Sequence, residues 1–505
     1  MSISSNTSKV RKNLISGFAS QTLIMLMGIF IPRLVIVNYG SDVNGFLHSI
    51  TQVFTCFELI EAGIGTATLQ ALLKQIASSS HDEINSVLSA ANILYRRVGI
   101  IYTLGTLCVA FIYPLLVVSS LGYIKMSLII LLQGIPNSFG YFVSAKFKIL
   151  LSADGRNYIQ NNIGLTVKFV SNVAKISLIL LGYEVLAVQF VFFIINLLQI
   201  LAYKAYEKRQ YGWIDYNVDP DYCALSESKY VFIHQLSGLI FENTDILVLT
   251  FLAGLPSVSV YSVYMLPLSV LSTLLNTISS STYFYLGQTF SIDRHRYMKL
   301  HDMYEAAFSA LSFSLFTTAY ILFKPFIALY TSGMSDAVYL DSYLPLLFVA
   351  IKLLATVRTP SLNVINFAQE YKSTQSHAII EMTINVVFSI IGAWLLGIYG
   401  VLLGTIAALL YRGNVMICFS NQKVLGRSCL VSYRRAVTNI LLFVCFAYGT
   451  KLFPLSIHNF IQFFIIAVPV TLVTALSYFC ILFLFDRQVV YDIVEMKILK
   501  KFFNK

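Results

Sequence analysis

The chain has 505 residues, of which 57% are hydrophobic and only 12% charged, and its mean hydropathy is +0.74. A soluble domain carries roughly a quarter charged residues, so most of this surface must face lipid, and a water-soluble enzyme or regulator is excluded. The net charge of +11 does not point to nucleic acid, because the basic residues lie between apolar runs, as membrane orientation requires. The seven cysteines include no C-x-x-C pair, which argues against a metal site or a disulfide framework.

A bilayer-spanning helix needs about 20 apolar residues. Six stretches meet that test in the first part of the chain: 14–37, 43–72, 93–118, 124–145, 162–181 and 185–203. The first is too long for a signal-peptide core and lacks a small-residue cleavage site after it, so it reads as a retained span. A polar segment, Lys204 to Lys229, follows. Six more stretches come next, at 231–253, 257–286, 303–329, 340–367, 378–396 and 398–419, then a final pair at 437–453 and 460–484 and a charged tail. Joints as short as Gly182-Tyr183-Glu184, Ala253 to Pro256, and Gly397 predict helical hairpins.

The basic residues test this order. With the N-terminus in the cytoplasm, 26 of the 35 Lys and Arg fall on the cytoplasmic side, three on the opposite side and six within spans. A miscounted helix would scramble that alternation. Fourteen spans with both termini cytoplasmic are therefore expected. Span seven begins about 217 residues after span one, and the joint Asn38-Tyr39-Gly40 has a weak counterpart in Leu252-Ala253-Gly254. An even number of spans separates them, so the two halves form a parallel repeat, an arrangement in which transporters place the substrate path between the halves. The expected fold is an all-α polytopic membrane protein of two six-helix halves plus a C-terminal helix pair. The boundaries are 1–203, a linker at 204–230, 231–420, and 421–505.

Charges inside the spans need a reason, since an unpaired charge in lipid costs several kcal/mol. Residues three, four or seven apart share a helix face. Span two aligns His48, Gln52, Thr55, Glu58, Glu61 and Gly65, and span seven aligns His234, Gly238, Glu242 and Asp245. Span five places Lys168 and Lys175 on one side, and span ten stacks Lys352, Thr356, Thr359 and Asn363. Arg358 points about a third of a turn away unless Pro360 bends the helix. Span eleven carries Glu381 and Asn385. Lys175, Glu61 and Arg412 lie close enough to span ends to snorkel, and Lys168 is a candidate for an internal ion pair. Arg33, Glu58, Asp245 and Lys352 lie deep, where a water-filled cavity of mixed charge is the better account. In such a cavity Arg33, Lys168, Lys352 and Arg358 would bind an anionic substrate group, and Glu58, Glu242, Asp245 and Glu381 would exchange protons or sodium ions. No catalytic motif occurs, and no soluble segment is large enough to hold an active site. An enzyme is not expected, nor is a cofactor.

The Lys-Asn-Leu-Ile-Ser-Gly lead-in, Pro32-Arg33, the Tyr-Gly-Ser-Asp-Val-Asn-Gly-Phe joint and Phe-Glu-Leu-Ile-Glu-Ala-Gly-Ile-Gly in span two, within a 6+6+2 pattern, resemble a known family. It is the Wzx-type O-antigen and capsule flippases, polysaccharide transporters of the multidrug/oligosaccharidyl-lipid/polysaccharide (MOP) exporter superfamily. The resemblance implies a bacterial cytoplasmic-membrane protein that moves an undecaprenyl-diphosphate-linked oligosaccharide to the outer leaflet by ion-coupled alternating access, alongside polymerase or glycosyltransferase partners. Spans one, two, seven and eight would surround a hydrophilic cavity, with Arg33 on the diphosphate, and the final pair would hold the isoprenoid tail. A multidrug cation antiporter of the same fold is the alternative reading, and a membrane-embedded polysaccharide polymerase is a more distant one.

Overall fold

The computed structural model describes residues 3–58, 61, 64–78, 81–222, 229–452, 455, 457–486, 489 and 491, with side chains from residue 27 onward except 77, 78, 229–235 and 451. Among the described residues every regular element is helical. A helix closes its own backbone hydrogen bonds, which a chain in lipid needs because no water is there to satisfy a bare N–H or C=O. Eleven described helices are long and apolar enough to cross a membrane, and they coincide with spans three to six and eight to fourteen. The other three expected spans fall on α1 (Ile3–Phe57), followed by α2 (Ile64–Ser78), and on α8 (Lys229–Leu252). The chain forms two compact units, Met1–Ser259 and Val260–Lys505, whose boundary falls within α9 (Leu255–Ile292).

The first unit also holds α3 (His81–Leu116), α4 (Gly122–Val143), α5 (Ala145–Ala153), α6 (Asn157–Leu180) and α7 (Val185–Gln210). The joint expected at 38–42 is not a loop. Helix α1 runs through it with a kink at Gly40, where φ is 91° and ψ 165°, a backbone region open essentially to glycine alone. Neighbours pin the kink on both sides. Tyr39 donates to the Tyr183 carbonyl at 2.6 Å, while Asp42 accepts from the Ser119 hydroxyl at 2.6 Å and the Ser120 N–H at 2.9 Å. The core beneath is aromatic, with Phe46, Phe54, Tyr95, Tyr102 and Tyr113 buried beside Ile129 and Ile130. The polar segment after α7 is docked rather than free over residues 211–222. Tyr211 donates to Asp154 at 2.6 Å, Trp213 stacks on His81 with centroids 4.0 Å apart, and Ser89 donates to the Val218 carbonyl at 2.7 Å.

In the second unit, α10 (Arg294–Tyr330) is followed by α11 (Leu344–Val357) and α12 (Thr359–Phe367). Span ten, expected as one run, is thus broken at Arg358. Pro360 explains the break, because it donates no N–H and crowds the residue before it. The hairpin of α13 (Tyr371–Leu396) and α14 (Ile398–Phe419) crosses backbone on backbone, and a Cβ on Gly400 would lie 1.8 Å from the Gly392 carbonyl oxygen. Small residues permit such close approach in lipid. The last pair, α15 (Leu430–Leu452) and α16 (Phe460–Phe485), is tied to α10 by polar contacts. Within the bilayer depth Thr317 meets Tyr478, and Thr318 meets Thr474, each at 2.8 Å. Near the start of α10 Arg435 pairs with Glu305 at 2.5 Å, with Asp302 at 2.9 Å and with Asp486 at 2.6 Å. The rest of α16 faces outward: it buries only Thr474 and Tyr478, and Ile461 is 75% exposed. Such a helix is stable only in lipid.

Candidate functional site

In the first unit the charges gather at a helix break. Span two was expected to run unbroken to residue 72, but α1 ends at Phe57 and α2 begins at Ile64. Glu58 and Glu61 stand in that interval, joined by a tight turn in which the Glu61 N–H donates to the Glu58 carbonyl at 3.1 Å. Glu58 is exposed and Glu61 half-buried. The Tyr95 hydroxyl donates to Glu61 Oε1 at 2.6 Å and fixes that carboxylate. Both glutamates line a cavity of about 260 Å³ with Tyr102, Asn137, Tyr141, Lys148, Gln199 and Tyr203. Lys148 enters from α5, a short helix that follows α4 directly after Ser144, and its ammonium lies 4.9 Å from the Tyr203 ring centroid. Burial pushes the Lys148 ammonium below its ordinary value, against the pull of the Glu61 carboxylate. Lys146, two residues earlier, faces elsewhere. It donates to the Phe142 carbonyl at 3.1 Å and lies over the Tyr216 ring, and burial lowers its pKa to about 8 although Glu207 opposes the shift.

The remaining expected residues of this unit are dispersed. Arg33 is half-buried on α1, and Asp245 is buried on α8 at 4% exposure, whereas Glu242 beside it is exposed. Lys168 is exposed on α6, and Lys175 packs its ammonium 3.8 Å from the Phe192 ring centroid. Helix α1 is tied to the α8–α9 hairpin through Ser49, which accepts from Tyr113 at 2.8 Å and from Thr250 at 2.7 Å, and through Asn44, which donates to Ser259 at 2.8 Å. The side chain of His234 lies outside the described residues.

In the second unit the charges also gather at a helix break. Arg358, in the α11–α12 joint, donates to Glu381 Oε1. The break turns it toward α13, resolving the misalignment that an unbroken span would impose. Arg412 on α14 closes the group: its Nε lies 3.5 Å from Glu381 Oε2, and its Nη1 donates to the Thr374 carbonyl at 3.1 Å. Arg412 is 2% exposed and so does not snorkel. Lys352 is half-buried on α11, less than two turns before the break. Two guanidiniums thus share one carboxylate.

Sequence reasoning missed the wall of the first cavity and Tyr95, which holds Glu61. Tyr95 and Tyr102, Tyr141 and Lys148, and Asn196 and Tyr203 are each seven apart, so helical spacing places every pair on one face. Their neutral or loop-like character kept them out of a search for charges inside spans.

Solved structures share this architecture. The lipid II flippase MurJ, in an inward closed conformation, matches with a TM-score of 0.66 over 95% of this chain and 99% of its own, at 14% identity. An inward-facing multidrug resistance MATE family transporter of the MOP superfamily matches at 0.54 over 79% of this chain and 94% of its own, at 16% identity. The chain shares the fold of these transporters. A MOP superfamily transporter from Pyrococcus furiosus, described by a reverse polarity of its binding pocket, matches at 0.51 over 84% of this chain and 97% of its own, at 17% identity. No protein-family model and no curated protein matches the sequence.

Proposed function

We propose that this MOP-fold protein is a flippase for an undecaprenyl-diphosphate-linked oligosaccharide, the precursor of an O-antigen, capsule or similar surface glycan, working by alternating access in a bacterial cytoplasmic membrane. The observation that carries this reading is the extent of the structural match. The lipid flippase aligns with 95% of the chain, and the other two MOP superfamily transporters with 79% and 84%. That difference suits a protein whose extra pair, α15 and α16, has work to do. The pair offers an almost wholly apolar outer face, which a long isoprenoid tail needs while its sugar head takes a wet path. In this account Arg33, Lys168, Lys352 and Arg358 supply positive charge for the diphosphate, with Arg33 foremost. Asp245 and Glu58, with Glu242 and Glu381 behind them, are the candidates for coupling to a proton or sodium gradient. The product would pass to a polymerase or glycosyltransferase on the outer face.

A multidrug cation antiporter is the second reading, favoured by the match to a multidrug resistance MATE family transporter over 79% of the chain. Expression of the chain in cells that lack their own surface-glycan flippase separates the two. The flippase reading predicts restored surface glycan with the wild-type chain and loss with Arg33→Ala at equal membrane abundance. Normal export by Arg33→Ala would remove that residue's role. Coupling is read separately in proteoliposomes, where Asp245→Asn or Glu58→Gln should abolish the response of transport to an imposed gradient.

A further inference from the structure

The first-unit cavity has a composition that restricts what it can hold. Glu58, Glu61 and Lys148 bring both signs of charge into about 260 Å³. A free cation would meet the Lys148 ammonium, and an anion would meet two carboxylates. Neither is a good occupant at this distance in a site partly shielded from water. What the same groups suit is a neutral ligand that both donates and accepts hydrogen bonds. Asn137 and Gln199 add amides that both donate and accept, as the hydroxyls of a sugar ring require. Ligand pockets for drug-sized molecules start near 300 Å³, so this one suits a single ring rather than a whole repeat unit. The side chains are also held in place. Tyr95 anchors Glu61 at 2.6 Å, Asn137 donates to the Tyr102 hydroxyl at 3.1 Å, and the Lys148 ammonium rests over Tyr203, so little ordering remains to oppose binding.

We infer that this cavity is a saccharide subsite that takes one neutral, hydroxyl-rich ring. On the orientation expected from the basic residues, Lys146, Lys148 and Lys204 among them, the cavity opens on the cytoplasmic side. A lipid-linked sugar would meet it before translocation. The identity of the natural sugar rests on the flippase reading, but binding itself does not.

The test is a ligand-observed NMR titration of the purified full chain with methyl glycosides of glucose, galactose and N-acetylglucosamine, using tetramethylammonium and inorganic phosphate as charge controls. At least one glycoside should bind saturably, with an affinity on the order of millimolar for so small a ligand. Binding should weaken about tenfold, a loss of about 1.4 kcal/mol, in Gln199→Ala. That side chain is only half-buried, and an unchanged melting temperature checks that the variant is folded. Neither control should compete. Binding of tetramethylammonium or phosphate in place of the glycosides, no glycoside binding, or equal binding by Gln199→Ala would overturn the subsite. A chain that binds glycosides through Gln199 yet does not translocate a lipid-linked sugar overturns the flippase reading and leaves the subsite standing. Translocation with an unchanged KM in Gln199→Ala overturns the subsite alone.

Discussion

The two units solve one problem in opposite ways. Each breaks a membrane helix, the first between Phe57 and Ile64 and the second at Arg358, and each gathers charge at the break. In the first unit two carboxylates face one ammonium across an open cavity lined by tyrosines and amides. In the second, two guanidiniums close on a single carboxylate that is 9% exposed. The first arrangement leaves hydrogen-bonding capacity for a ligand. The second spends most of its capacity internally and keeps an excess of positive charge. The comparison teaches that charge at the helix breaks is not one class: some of it stays open to a cavity, and some is structure with a residual sign.

Removing the shared carboxylate should separate the two most sharply. Glu381→Ala removes the carboxylate that Arg358 and the buried Arg412 share, which should cost about 3–5 kcal/mol, read as a large fall in the thermal midpoint of the second unit. Glu58→Gln, at an exposed position, should change stability by less than about 0.5 kcal/mol. Equal effects would erase the distinction between the units.

The packing under the second cluster should be the next most sensitive. Gly400→Leu forces a side chain into the Gly392 backbone, and overpacking of this kind costs about 1–3 kcal/mol. A stable variant with unshifted melting would contradict the backbone crossing.

A smaller effect belongs to the first unit and depends on pH. The pKa of Lys146 falls from its ordinary 10.5 to about 8 in the folded protein. Between those values the unfolded chain binds more protons, so stability should rise as pH increases from about 8 to 10.5 and be flat below that window. The gain should be on the order of 1 kcal/mol after solvent relaxation, and it should be absent in Lys146→Met. A fall in stability across that window in the wild-type chain, beyond that of the variant, would mean that Lys146 is held charged.

Much of the fold was legible because lipid imposes one rule on the chain: apolar runs of fixed length, with basic residues sorted to one side. Eleven expected spans recur as described helices for that reason. The breaks were less legible. Nothing between Glu58 and Gly65 is a proline, so span two read as continuous, whereas Pro360 did signal the bend that brings Arg358 to Glu381. Arg412 was taken for a snorkelling side chain because depth along a helix does not reveal its partner on the next one. The ion network that fastens the final pair was also invisible, since Glu305, Arg435 and Asp486 lie far apart in sequence. Helix faces can be read from spacing, but contacts between faces cannot.

The central claim, that this chain moves a sugar carried on an anionic lipid diphosphate, is tested most directly in proteoliposomes containing the purified chain. The measurement is the transfer of a fluorescent undecaprenyl-diphosphate oligosaccharide between leaflets, beside the uptake of an organic cation dye. Transfer of the lipid-linked sugar without dye uptake, slowed at least about tenfold by Arg33→Ala, is the predicted result. Dye uptake with no transfer of the lipid would contradict the account and assign the protein to cation extrusion.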